Sequence, residues 1–363
     1  MKVALVYDRV NKFGGAERVL LALHKIFPKA PLYTSVYNPK KAPWAKSFRI
    51  YTSFLQRLPF VNKAHELLAY LMPQAFEGFN FDKYDLVISV TSEAAKGILT
   101  KPQTRHICYC LTPTRYLWSG YDEYFQNTIF RILTKPLIIY LRWWDKIASK
   151  RPDAYIAISE EVRKRIKKYY GRESIVVYPP ATLQDTRYKI QDTNDKGYFL
   201  VVSRISKFTS YKRIGIAVEA VTRLGVPLKV IGEGNFDSLK EKAGPKVEFV
   251  GKVTDEELIA YYKHCKALIF PGNEDFGLVM VEAQYFGKPV IAYRKGGALE
   301  IIQEGKTGEF FDTQSATSLI KVLKSFRVGR YNKRACIRNA ERFRFKVFKR
   351  NFIEIVKYRI QKI

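Results

Sequence analysis

Acidic side chains are scarce in this sequence: 34 Asp and Glu stand against 63 Lys and Arg, a formal net charge of +29 over 363 residues. Such an imbalance asks for a polyanionic partner, whether nucleic acid, an anionic membrane surface or a phosphorylated substrate. Cysteine is rare too. Cys108, Cys110, Cys265 and Cys336 are too few for a disulfide framework and suit reduced thiols in a cytosolic compartment. Cys108 and Cys110 stand two apart in an apolar run, on one face of a strand. With only four His in the chain, a metal pair there would lack further ligands, and buried thiols are the better reading.

Long apolar runs are also missing. Met1-Lys2 is followed by five apolar residues before Asp8, too few for the core of a secretory signal, so no signal peptide is expected. The most apolar helical stretch, around Leu137–Leu141, is interrupted by Lys135, Pro136 and Arg142. It falls short of the roughly 20 residues that cross a bilayer, so a soluble or peripheral protein is expected. No G-x-G-x-x-G follows an apolar run, which argues against a nicotinamide dehydrogenase. No helix-turn-helix, zinc-ligand or RNP pattern supports nucleic acid as the partner.

Core-forming material is plentiful. Hydrophobic residues make up 47% and aromatics 14%, which excludes disorder for most of the chain, and the length suits two domains. Short apolar runs that fit buried parallel strands occur at Val3–Tyr7, Leu86–Val90, His106–Cys110 and Ala154–Ile158. A second series runs through Tyr198–Val202, Leu228–Ile231, Val247–Val250, Ala267–Phe270 and Val290–Tyr293. Between them lie stripes at helical spacing, such as Val19, Leu20, Leu23, Ile26, Phe27 and Ile214, Ala217, Val218, Val221, Leu224. Alternation of this kind predicts an α/β protein with parallel sheets covered on both faces. Ser174–Tyr178 reads as one more strand, closed by Pro179-Pro180, and the polar stretch Thr182–Lys196 reads as a linker. Two doubly wound domains follow, over 1–183 and 197–340, with a tail over 341–363. Each should bind its ligand at the C-terminal ends of its strands, and two such edges face to face make a cleft.

The charge is unevenly placed. Residues 1–196 carry +15 and residues 197–320 only +1, while the last 43 residues carry 15 cations against two acids. The layout favours local basic faces over a nucleic-acid groove.

Three motifs could carry chemistry. After the first strand, Phe13-Gly14-Gly15-Ala16-Glu17-Arg18-Val19 places two glycines at a strand-to-helix turn, where backbone N–H groups and a helix N-terminus suit a phosphate. For the glycine pair taken alone, an ordinary tight turn is the better account. Arg204 lies just past the strand that opens the second domain, and Lys212 lies near the start of the next helix. Two cations there would neutralise a diphosphate without a metal. Lys207 and Arg213 fit a solvated basic loop. The most specific motif is Pro271-Gly272-Asn273-Glu274-Asp275-Phe276-Gly277-Leu278-Val279-Met280-Val281-Glu282-Ala283. Glu274 falls in the loop and Glu282 about two turns along the helix, within an apolar stripe where a carboxylate needs a partner. Phe276-Gly277 would present N–H groups at the helix start. Lys295-Gly296-Gly297 adds a glycine pair at the same edge.

These residues resemble the family-4 retaining glycosyltransferases of the GT-B type, most closely the O-antigen and exopolysaccharide branch with its many mannosyltransferases. The likeness runs through Phe13–Val19, Tyr84–Ser89, Cys108–Cys110 with Thr112–Tyr116, Arg204 with Lys212, Ile231-Gly232-Glu233-Gly234, Phe249-Val250-Gly251, the E-x7-E pair Glu274 and Glu282, and Gly305–Gly308. The resemblance implies two Rossmann-like domains across a cleft and a C-terminal helix that returns to the first domain. It implies transfer of a hexose, with mannose favoured, from a nucleotide diphosphate sugar such as GDP-mannose to a lipid-linked or saccharide acceptor, with retention and no metal. Arg204 and Lys212 would hold the diphosphate, and Glu274 would orient the donor sugar, helped by the Phe276, Gly277, Leu278 and Val279 backbone. Glu282 would bind the ribose. Val250 and Gly251 would line the base pocket, Gly232 would belong to the donor site, and Gly14 and Gly15 would close over the phosphates.

Many relatives carry a His directly after the Cys-Tyr-Cys strand, where this chain has Leu111. Its absence favours attack from the leaving-group side, with the departing phosphate taking the proton. His106, at the strand start, should not substitute. A nucleotide-sugar epimerase and a non-catalytic basic binding protein are the alternatives. Two basic segments point to an anionic membrane surface at the inner face of the cell. Residues 129–148 place Ile129, Ile132, Leu133, Leu137, Tyr140, Leu141, Trp144 and Ile147 on one helical side amid cations, which suits either a packed helix or a surface helix with Trp143 and Trp144 at headgroup level. The tail Arg338–Lys362 repeats apolar residues at helical spacing and is expected to be core, its outer cations free to face lipid.

Overall fold

The computed structural model describes residues 1–59, 67–181, 197–204 and 212–361. The chain divides into two compact units, Met1–Pro180 with Phe348–Ile363 and Ala181–Val347. The expected linker over 182–196 and the loop residues Ile205, Ser206 and Lys207 lie outside the described residues.

The first unit holds a seven-stranded parallel sheet: β1 Val3–Tyr7, β2 Leu32–Thr34, β3 Ile50–Thr52, β4 Leu86–Thr91, β5 Arg105–Cys110, β6 Ala154–Ala157 and β7 Ile175–Val176. The spatial order is β3-β2-β1-β4-β5-β6-β7, so the strand order reverses between β1 and β4. All five β1 residues and all six of β4 are buried. That is why these strands read as continuous apolar runs rather than alternating ones. The helix Gly15–Ile26 packs Val19, Leu20 and Leu23 inward, and Glu17 on its first turn accepts a hydrogen bond from Tyr7 Oη at 2.6 Å.

The tail helix Phe345–Gln361 buries Phe348, Phe352, Ile355 and Val356. Within the first unit, Phe348 and Phe352 lie against Tyr109 of β5, and Phe352 also meets Phe27.

The second unit holds a six-stranded parallel sheet: β8 Tyr198–Val202, β9 Leu228–Ile231, β10 Val247–Gly251, β11 Cys265–Phe270, β12 Val290–Tyr293 and β13 Gly308–Phe311. Its order is β10-β9-β8-β11-β12-β13, with the reversal between β8 and β11. The helix Ile214–Leu224 buries Ile214, Ala217, Val218 and Val221, as its spacing predicts, and Gly225 ends it in the left-handed conformation.

Three strands are invisible to the apolar-run criterion. β2 and β3 are three residues each, and β13 reads Gly-Glu-Phe-Phe. All four cysteines are buried thiols outside any disulfide. Among the described residues no helix is long and apolar enough to cross a membrane.

Candidate active site

A doubly wound sheet binds ligands where its strand order reverses, because adjacent loops there leave the sheet in opposite directions and open a crevice. In the second unit that place lies between the ends of β8 and β11. Arg204 stands two residues past β8 and is exposed, and Lys212 lies two residues before the helix Ile214–Leu224. Glu274 is in the loop after β11. Lys212 Nζ and Glu274 Oε1 are 3.4 Å apart, with side chains 16% and 23% exposed. The ion pair thus bridges the two loops that flank the reversal, and both members remain open to a ligand.

The floor beside it is backbone. Ser203 N–H donates to Ile231 O and Gly232 N–H to Gly251 O, each at 2.8 Å, so the loops after β8, β9 and β10 are stitched together beyond their strands. Gly232 has φ +146°, and a Cβ there would sit 1.8 Å from Ser203 O, so only glycine permits this approach. Gly251, at the end of β10, is also left-handed, with φ +85°. Val250 is half-buried next to it.

On the far side the glycine pair packs on the Glu274 loop. Gly297 N–H donates to Glu274 O at 3.0 Å, and a Cβ on Gly297 would lie 2.3 Å from Phe276 O. The Phe276 ring is buried against Phe343, 5.4 Å between centroids. Gly277, with φ +93°, turns the chain into the helix Leu278–Tyr285 and, as its N-cap, offers no capping side chain of its own. The first amides of a helix lack intrahelical acceptors and suit an anion, and here they belong to half-buried Leu278 and Val279.

Glu282 lies one turn deeper and is buried, at 4% exposure. Its Oε2 accepts a hydrogen bond from Tyr262 Oη at 3.0 Å. Tyr262 belongs to the helix Asp255–His264 and is itself fully buried. This tyrosine, twenty residues earlier, is a partner of the kind that an acidic residue in an apolar stripe requires, and the E-x7-E spacing does not point to it.

In the first unit, Gly14 is the N-cap of the helix Gly15–Ile26, with extended backbone and no capping side chain. The sheet reversal beside it carries Asp8, which sequence reading passed over. Its buried carboxylate accepts from Thr91 Oγ1 at 2.8 Å and from the amides of Ser92, Glu93 and Ala95. Burial, then the neighbouring Glu93, pushes its pKa upward against those donors. An aspartate directly after an apolar strand was the available signal. Asp8 pins the loop after β4, where Arg9 and Glu93 pair at 2.7 Å.

Leu111 directly follows β5 and is buried. His106 is fully buried against Ser89 Oγ at 2.8 Å, and burial, then Arg151, lowers its pKa to about 3. It is held as a neutral core imidazole.

The Thr128–Ala148 helix divides its apolar residues between two faces. Leu141 and Trp144 are buried, and Trp144 Nε1 donates to Glu77 Oε1 at 2.7 Å, whereas Ile129, Ile132, Leu133, Tyr140, Ile147 and Trp143 are exposed. The single stripe expected from the sequence is corrected to these two, and Trp144 is an anchor to the first unit rather than a headgroup residue.

Comparison with known proteins matches this architecture. A family model for Glycosyltransferase Family 4 matches residues 13–182, and one for Glycosyl transferases group 1 matches residues 184–343. An uncharacterized 41.2 kDa protein in the cps region of Klebsiella pneumoniae is 28% identical over 237 residues, 61% of this chain and 65% of that one. The O-antigen chain mannosyltransferase C of Escherichia coli is 24% identical over 176 residues, 45% of each chain. These alignments span less than two thirds of either relative. The crystal structure of Anabaena HepE in complex with UDP and glucose superposes with a TM-score of 0.69 at 18% identity, covering 99% of this chain and 100% of that one. The chain belongs to the family-4 glycosyltransferases and has their two-domain GT-B fold.

Proposed function

We propose that this protein is a retaining hexosyltransferase that moves a sugar, mannose in the favoured case, from a nucleotide diphosphate donor to an acceptor hydroxyl. The observation that carries the reading is the Lys212–Glu274 pair, which spans the loops at the reversal of the second sheet. Arg204 and Lys212 supply positive charge for a diphosphate, and the glycine-capped start of the helix Leu278–Tyr285 adds amides. Glu274 orients the sugar through its hydroxyls. Glu282, held by Tyr262, meets the ribose, and the Gly232, Val250 and Gly251 backbone accommodates the base.

In the reaction, the acceptor oxygen bonds to the anomeric carbon on the face the diphosphate leaves. The bond from that carbon to the diphosphate oxygen breaks, and the acceptor proton passes to the departing phosphate. Negative charge grows on that phosphate, where the cations and amides stabilise it more in the transition state than before it. With Leu111 beside β5, no imidazole is required as base, and the two cations take the place a metal would have.

The mannose preference and a role in cell-surface polysaccharide assembly are supported by the name of the Escherichia coli relative, an O-antigen chain mannosyltransferase. HepE, crystallised with UDP and glucose, supports a nucleotide-sugar donor as a class. A lipid-linked acceptor at the inner face of the membrane is supported by the +29 charge and its bias to the first 196 residues and the tail.

A thermal-shift panel of UDP-, GDP- and dTDP-sugars tests the reading. A ligand that binds only the folded state at a hundred times its Kd adds about 2.7 kcal/mol to its stability. We expect GDP-mannose to give the largest rise. A panel without any nucleotide-sugar response would refute the reading, and a donor isomerised in the absence of acceptor would reassign the protein to the epimerases.

A further inference from the structure

The helix Thr128–Ala148 does not bury most of its apolar surface. Eight of the sixteen large apolar side chains exposed among the described residues belong to it. Ile129 is 71% exposed, Leu133 73% and Trp143 61%. At about 100° per residue these three, with Ile132, Ile139 and Ile147, fall in one arc of about 120°. The opposite side carries Ile138, Leu141, Trp144 and Ala148 into the first unit.

A third strip holds Arg131, Lys135, Arg142 and Lys146, along one flank of the exposed apolar arc. The helix has a single acid, Asp145, which is buried and paired with Lys96 at 2.5 Å. Lys96 also donates to Glu93 O, and Asp145 accepts from Thr114 Oγ1 and Trp118 Nε1, so the inner face is firmly held. Arg142 is fixed in turn, its Nε donating to Leu117 O at 2.7 Å and its guanidinium over the Tyr121 ring.

Contiguous apolar patches of this extent are uncommon on soluble monomers and mark interaction surfaces. We infer that this outer face docks on an anionic lipid bilayer. The helix would lie in the plane of the membrane, with Ile129, Leu133 and Trp143 among the upper acyl carbons and the Arg131–Lys146 strip at the headgroups. Charge decides between a bilayer and a second copy of the chain. A second copy would bring the same cation strip and the same +29 surface, whereas anionic lipid complements both. The helix cannot span instead, since no described helix has a sufficiently apolar window. The inference rests on the membrane-surface reading above and locates its contact on one helix, rather than on the tail, whose apolar stripe is spent on Tyr109 and Phe27.

Flotation of the full chain with vesicles of phosphatidylcholine alone, and with 30% phosphatidylglycerol added, tests it. We expect recovery with the anionic vesicles and little with the neutral ones. The Leu133→Glu/Trp143→Glu variant should lower recovery at least tenfold, and Lys135→Glu/Lys146→Glu should remove the preference for anionic lipid. Both variants should keep the wild-type thermal shift with nucleotide sugar, which shows that the fold and donor site are intact. If wild type and the Leu133→Glu/Trp143→Glu variant float equally well, this helix is not the contact, although the membrane reading stands. If wild type does not float at all, both fall. A wild-type dimer in sedimentation that the same variant dissociates would assign the face to a second copy and overturn the inference.

Discussion

Lys212 Nζ lies 3.4 Å from Glu274 Oε1, and that contact joins the two loops at the reversal of the second sheet. The pair is partly buried but lies in loops outside the sheet core, and ion pairs that keep access to solvent are worth about 0–1 kcal/mol. If it serves the donor, its loss should fall on turnover. We expect Lys212→Ala and Glu274→Ala to lower kcat about a hundredfold or more with melting temperatures within a few degrees of wild type. Transfer rates and thermal scans on the same preparations check this, and normal turnover in either folded variant removes that residue from the site.

Gly232 should tolerate no side chain. Its φ of +146° and the 1.8 Å approach of Ser203 O leave no room for a Cβ, so Gly232→Ala must part the loops after β8 and β9. Gly171, the left-handed residue after the helix Glu160–Tyr170, has φ +66° and open space around it. We expect Gly171→Ala to destabilise by about 1 kcal/mol and Gly232→Ala by about 3 kcal/mol, with donor binding lost as well. Denaturant titration of the two variants decides; equal losses would mean that the close approach is not essential.

The buried pair Lys96–Asp145 holds the Thr128–Ala148 helix to the loop after β4. Its side chains are 2% and 1% exposed. Removing one charge leaves the other unpaired in the core, so Lys96→Met should cost about 3–5 kcal/mol. Adding Asp145→Asn removes the orphaned charge and keeps an acceptor for Trp118 Nε1, so the double variant should recover part of that loss. Urea midpoints provide the comparison. A double variant less stable than Lys96→Met would contradict the assignment.

His106 gives a pH dependence of definite sign. Its pKa is lowered in the fold to about 3, so it stays neutral there, while in the unfolded chain it titrates near the ordinary value of 6.5. The unfolded state therefore binds the proton first as pH falls. The contribution is complete above about pH 6.5 and is lost on descent toward about 3, by nearly 1.4 kcal/mol per pH unit. Between pH 7 and pH 5, wild type should lose about 2 kcal/mol more than His106→Gln. Parallel pH profiles of the two would disprove the buried neutral imidazole.

Much of this architecture was legible beforehand because buried parallel strands are continuously apolar, as in Val3–Tyr7 and Ala267–Phe270. The strands that escaped had little apolar length to show. β13 also begins at Gly308, a glycine because Val290 O lies 2.0 Å from where a Cβ would be. The E-x7-E spacing announced Glu274 and Glu282 but could not name Tyr262, since spacing along one helix is silent about which helix packs beside it. In the same way, Trp143 and Trp144 are 100° apart on a helical wheel, and only packing reveals that Trp144 is the inward one.

The central claim is that a nucleotide sugar binds where Lys212 and Glu274 meet. Isothermal titration of the nucleotide sugar that gives the largest thermal shift, into wild type and into folded Lys212→Ala, tests it most directly. The account predicts saturable binding to wild type and a Kd at least tenfold weaker for the variant. Equal affinities would contradict it.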